Sequence, residues 1–209
     1  MNTELIPAIL VKDRETMIER LSLVEGLVSV VQLDCMDHHF VPNQSYYHAE
    51  SLDTTLAIEL HLMVRDPLSV IHDWRRVPQL HRAIWHVEIP VNHDQLIAEC
   101  RSLGIECGLA ISPKTPVDQV IPYLSRVDEI LVLGVEPGFS GQALIPSTLE
   151  KLHTLKQHRL QIITGFDGGV TRNNLSTIQT SGADRICLAS ALFQAADPRK
   201  ALRDILSTI

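Results

Sequence analysis

The chain has 209 residues, 45% of them hydrophobic, and a formal charge of −7. That length and apolar share suffice for one full core and fit a single domain over residues 1–209. The acidic balance offers no basic footprint for nucleic acid or an anionic membrane, so an anionic ligand has to be held locally.

From Met1 onward there is no cationic stretch followed by apolar and small residues, and the apolar runs fall far short of the roughly 20 residues of a bilayer span. A cytoplasmic protein is expected. Cys35, Cys100, Cys107 and Cys187 show no C-x-x-C pairing, which argues against a zinc cluster or disulfide frame and for four packing residues.

In chain order, short apolar runs predict strands at 5–11, 29–36, 57–64, 82–89, 107–112, 129–136, 161–167 and 185–190. Helical spacing predicts helices around 13–24, 67–76, 94–103, 117–124, 146–157, 173–180 and 197–207. The segment after the second strand is less regular. Gly26, Gly104 and Gly182 fall between a helical pattern and the next strand, where a left-handed terminator is wanted. Eight strands alternating with helices imply right-handed crossovers and a parallel sheet, and in about 200 residues they fit a closed (β/α)8 barrel.

A barrel explains the polar residues of these strands. In the second, alternation puts Gln32, Asp34 and Met36 on one face and Val31, Leu33 and Cys35 on the other. Glu59, His61 and Met63 share a face of the third, Ile84, His86 and Glu88 of the fourth, and Ile163, Gly165 and Asp167 of the seventh. Taken singly, each polar residue reads first as a satisfied core group or a cap for the next helix. Together they converge where this fold places catalytic groups, at the C-terminal strand ends.

Three segments suit an anion. Gly138, Phe139, Ser140 and Gly141 follow the sixth strand, Gly168 and Gly169 the seventh, and Ala189 and Ser190 end the eighth before a helix start. Backbone N–H groups and a helix N-terminus can hold phosphate there without Lys or Arg.

The motifs LDCMDHHFVPN, HLMVRDP, HVE, VEPGFSGQALIP and DGGVTRNNL resemble, in order and spacing, those of the ribulose-phosphate 3-epimerase family. The resemblance implies a ribulose-phosphate-binding TIM barrel that inverts the carbon next to the carbonyl of a phosphorylated ketose. It implies Asp34 and Asp167 as the acid/base pair and as ligands, with His61, of a divalent manganese, magnesium, zinc or iron ion. It further implies the glycine loops as phosphate site, Met36, Met63 and His86 as pocket wall, and a homo-oligomer. Inversion needs two groups, since a single base working from one side restores the starting sugar. Asp37 faces the other way and is expected to order the following loop.

The chain departs from the family pattern at several positions. Gln32 stands where a metal-binding histidine is usual, and its amide oxygen suits magnesium or manganese better than zinc. Val11 replaces a serine, and Lys12 beside it brings a cation near the substrate. His38 and Ala189 replace glycines, Leu133 a methionine and Glu136 an asparagine. The reading that results is a phosphosugar 3-epimerase, with D-ribulose 5-phosphate the default substrate and a hexulose 6-phosphate the nearest variant. The alternatives are a non-catalytic phosphosugar-binding barrel, favoured by Gln32 and Val11, and a keto-sugar-phosphate lyase, opposed by Met36 where an Asp-x-Lys arrangement would put lysine.

Overall fold

Eight short parallel strands pair in sequence order and close on themselves, β1 meeting β8, in a computed structural model that describes residues 3–158 and 162–208. They are β1 (Glu4–Ile9), β2 (Val30–Met36), β3 (Ala57–Met63), β4 (Leu80–His86), β5 (Glu106–Ile111), β6 (Glu129–Leu133), β7 (Ile163–Asp167) and β8 (Arg185–Leu188). All eight predicted strands are present, although the predicted first residues of the seventh, 159–161 being undescribed, lie partly outside the described residues. The helices are α1 (Arg14–Val24), α2 (Pro67–Trp74), α3 (His93–Leu103), α4 (Leu149–Gln157), α5 (Leu175–Thr180), α6 (Ser190–Phe193) and α7 (Pro198–Leu206).

Helix starts follow from local side chains. Asp13, Asp66, Asn92 and Asp197 each accept the backbone N–H three residues on, satisfying a donor the helix leaves unpaired. Gly26, Gly104 and Gly182 all take positive φ. The helix predicted at 117–124 is instead two 3-10 turns, Val117–Gln119 and Ile121–Tyr123. Pro122 sits in its middle, removes a donor and clashes with the preceding turn.

Alternation divides the strands as expected. Val31, Leu33 and Cys35 join the large core between sheet and helices, while Ile6, Ala8, Ile84, Ala110, Leu131 and Cys187 fill the barrel. Below them lies a layer of charge. Arg82 Nη1 is 3.0 Å from Glu59 Oε2 and 2.7 Å from Glu129 Oε2, and Arg185 Nη2 is 2.7 Å from Glu59. Arg185 Nη1 bonds Glu129 as well. All four side chains are buried, so the mutual pairing offsets a desolvation penalty of several kcal/mol per ion. The Glu129 carboxylate leaves no space for a side chain at residue 165, since a Cβ there would lie 2.1 Å from its Oε1. No helix among the described residues is long and apolar enough to cross a membrane.

Candidate active site

The opposite end of the barrel opens into a cleft. Strand register decides which side chains meet there: Asp34 on β2 pairs with His61 on β3, one level below the pair Met36 and Met63. Asp167 ends β7 beside Leu133 of β6. His61 Nδ1 consequently lies 3.1 Å from Asp34 Oδ1 and 3.4 Å from Asp167 Oδ2. Gln32, one level deeper, sends Nε2 to Asp34 Oδ1 at 2.9 Å and to Asp167 Oδ2 at 2.8 Å. Gln32, Asp34, His61 and Asp167 thus form one cluster.

Burial sets its electrostatics. It raises the Asp34 carboxyl, and the neighbouring Asp167 charge adds to the rise, against the lowering effect of the His61 hydrogen bond. Burial alone would lower His61, but the hydrogen bonds and charges of Asp167 and Asp34 outweigh it and hold the imidazole at about 9. Behind it, His86 Nε2 is 3.0 Å from His61 Nε2, and His86 Nδ1 is 3.1 Å from Glu88 Oε2. Glu88 also accepts from Ser112 N at 2.7 Å and from the Thr115 hydroxyl. Burial opposes ionisation of Glu88, yet these bonds, His86 first, pull it to about 2.

Asp34, His61 and Asp167 form a candidate metal-binding cluster among the described residues, with ligand atoms within 4.8 Å of one another. Donors around an ion at about 2.1 Å would be separated by roughly 3.0–3.4 Å, close to the spacings from His61 Nδ1 to the two carboxylates. Two carboxylates and one imidazole therefore fit a divalent cation as three donors.

The cleft is lined by Met36, Met63, Gly138, Phe139, Ser140, Gly141, Gly168, Gly169, Ala189 and Ser190 together with Asp34, His61 and Asp167. His86, expected in the wall, is corrected: it is fully buried behind His61. β4 ends at His86, so Glu88 belongs to the following loop and reaches back to that ring. Val11 is buried and Leu10 lines the cleft in its stead. Lys12 does not reach the cleft. Its Nζ binds Asn43 Oδ1 at 2.5 Å and the Gln44 carbonyl, and Asn43 Nδ2 donates to Gly138 O at 2.6 Å. The cation expected near the substrate thus ties the loop after β2, which in turn anchors the loop after β6. His38 has φ of 65°, the left-handed backbone that explains a glycine at this position. Asp37 accepts from His39 N, Phe40 N and Arg65 N at 2.7–3.1 Å, ordering that loop. Glu136 pairs with Lys114 at 2.8 Å on the surface.

Two participants were not legible as such. Cys187 lines the cleft, and its Sγ lies 3.2 Å from Gln32 Oε1; its place on β8, two residues before Ala189, was the available signal. Ser45 carried none: its hydroxyl accepts from Met36 N at 2.9 Å and donates to Asp34 O at 2.6 Å, holding the end of β2.

Known proteins resemble this chain over most of its length. Residues 4–193 match the model of the ribulose-phosphate 3 epimerase family. The chain is 30% identical to ribulose-phosphate 3-epimerase of Escherichia coli K12 over 189 residues, 86% of this chain and 84% of that protein. It is 35% identical to the Treponema pallidum (strain Nichols) ribulose-phosphate 3-epimerase over 171 residues, 78% of each. Among solved structures it resembles a 3-hexulose-6-phosphate synthase (TM-score 0.68, 11% identity, 100% of both chains). It also resembles orotidine 5'-monophosphate decarboxylase from Sulfolobus solfataricus (TM-score 0.66, 14% identity, 99% of this chain and 97% of that one). Those two likenesses show the barrel alone. The family match over most of the barrel, with the long alignments to named epimerases, decides the assignment: the chain belongs to the ribulose-phosphate 3-epimerase family.

Proposed function

We propose that the protein interconverts D-ribulose 5-phosphate and D-xylulose 5-phosphate, with Asp34 and Asp167 as the two proton carriers. The observation that carries this is their placement: two carboxylates arrive from β2 and β7 on either side of His61, in a cleft that also holds three glycine-containing loop ends. A ketose whose C3 lies between them has one carboxylate toward each face. One takes the proton, the other returns it from the opposite side, and the configuration inverts. Asp34, its carboxyl raised by burial, is suited to carry a proton.

The charge that develops on the enediolate oxygens meets the positive charge of His61, while the Gln32 N–H2 holds the two aspartates in place. A divalent ion held by Asp34, His61 and Asp167 would supply further charge stabilisation and orient the two ketose oxygens. Met36 and Met63 keep water from the reacting carbon. Gly138, Ser140, Gly168, Gly169 and Ser190 present backbone and hydroxyl donors suited to phosphate. The same reading makes the protein a cytoplasmic homo-oligomer.

Named epimerase relatives disfavour the lyase and the non-catalytic barrel. Incubation with D-ribulose 5-phosphate in heavy water tests the reading. Deuterium at C3 with both epimers present is expected; absence of exchange with manganese supplied sinks the proposal.

A further inference from the structure

Gln32 has no exposed surface, and the two ends of its amide meet chemically different partners. Nε2 spends both hydrogens on carboxylates, Asp34 Oδ1 and Asp167 Oδ2. Oε1 accepts from the thiol of Cys187 at 3.2 Å. A donor on the oxygen side and two acceptors on the nitrogen side select one rotation of the amide. Turning it over would set Oε1 within 3 Å of two carboxylate oxygens and face the N–H2 with the thiol. That arrangement needs a cation between the oxygens.

We propose that Cys187 is a positioning residue that holds Gln32 as a hydrogen-bond donor, so that its N–H2 ties Asp34 to Asp167 and a divalent ion binds through three protein donors only, weakly and exchangeably. This rests on Asp34, His61 and Asp167 being the reacting cluster. For the amide oxygen to become a fourth ligand, one S–H···O and two N–H···O bonds must break together. The pair thereby makes the separation of the two carboxylates independent of an ion, because the nitrogen already bridges the oxygens that an ion would bridge. Cys187 is otherwise packed in the apolar cluster with Ile6, Ala8, Ile84 and Leu131.

The test is manganese affinity of the chelator-treated full chain without substrate, read by electron paramagnetic resonance. Cys187→Val removes the donor at similar volume and is expected to tighten manganese about three- to tenfold, the worth of one modest hydrogen bond. Cys187→Ser keeps a donor and is expected to stay as weak as the parent. Equal affinities in all three proteins overturn the inference, and so does a parent that keeps one equivalent of ion through chelation. Should Cys187→Val not fold, the parent still decides. In nuclear magnetic resonance its Gln32 N–H2 signals are expected to keep their hydrogen-bonded positions while zinc binds; their collapse to amide positions free of carboxylate on zinc addition overturns the idea. Epimerisation with Cys187-independent manganese binding defeats this inference alone. Cys187-dependent binding without C3 exchange supports it and defeats the epimerase reading.

Discussion

His61 Nε2 and His86 Nε2 lie 3.0 Å apart with their rings stacked, so one nitrogen carries the proton and the other accepts it. Glu88 settles which. By accepting from His86 Nδ1 it leaves His86 Nε2 as the acceptor, so His61 donates from Nε2 and turns Nδ1 to the aspartates. Glu88→Ala releases that constraint, and kcat is expected to fall about 10–100-fold with little change in KM. Glu88→Gln retains an acceptor oxygen and most of the activity. Steady-state kinetics beside a melting curve separates this from loss of the loop contacts to Ser112 and Thr115.

Asp34→Asn and Asp167→Asn are each expected to lower net epimerisation by roughly 10²–10⁴-fold. Under the proposed mechanism each variant retains a carboxylate on one face only. Proton exchange from one epimer should therefore outlast inversion, a different epimer in each variant, as followed by proton nuclear magnetic resonance in heavy water. Near-full turnover in either variant would remove that residue as a carrier.

The His61 imidazole carries a pH signature. Its folded value of about 9 lies above the ordinary 6.5, so it contributes stability that is fully present below about 6.5 and lost as pH rises through 9. Chelator-treated protein is expected to show a falling Tm between those values. His61→Asn should flatten the fall.

How much of this could be read from residue order differs by feature. Alternation placed Asp34, His61 and Asp167 inside the barrel because a strand has only two faces. It could not give depth. His86 has the right face but lies behind His61, and the register shift between Ile58 and Glu59 against β4 has no sequence mark. Cys187 looked like packing because its partner, Gln32, is 155 residues away. Arg82 and Arg185 fall at predicted strand starts, and only closure of the barrel brings them together. Pro122 shows the reverse: its effect on the 117–124 helix is legible from its chemistry, whereas the prediction followed helical spacing alone.

Two glycines of the cleft loops should respond differently. Both have positive φ, but a Cβ at Gly141 would meet open space, whereas at Gly169 it would lie 2.6 Å from the Leu144 Cα. Gly141→Ala is expected to cost about 1–2 kcal/mol through the backbone alone. Gly169→Ala should cost more and also raise KM for the phosphorylated ketose, since the loop after β6 must move. Denaturant titration and substrate titration of both variants check the contrast.

At the closed end, Arg82→Met leaves Glu59 and Glu129 sharing only Arg185. A loss of about 3–5 kcal/mol is expected, measured by urea unfolding. Full stability in that variant would show that the buried charges are not mutually dependent.

The four charges at the barrel floor also bear on how such a protein can change over generations. Replacing any one of them strands an ion in a dry interior, so no single-residue path leads away from the arrangement without passing through a weakened fold. Cleft positions such as Leu10 and Ala189 carry no such debt, being apolar and free of any ion partner to strand. Inheritance is therefore rigid at one pole of the barrel and permissive at the other. A lineage can alter what its mouth accepts, one mutation at a time, while the floor holds the scaffold in place.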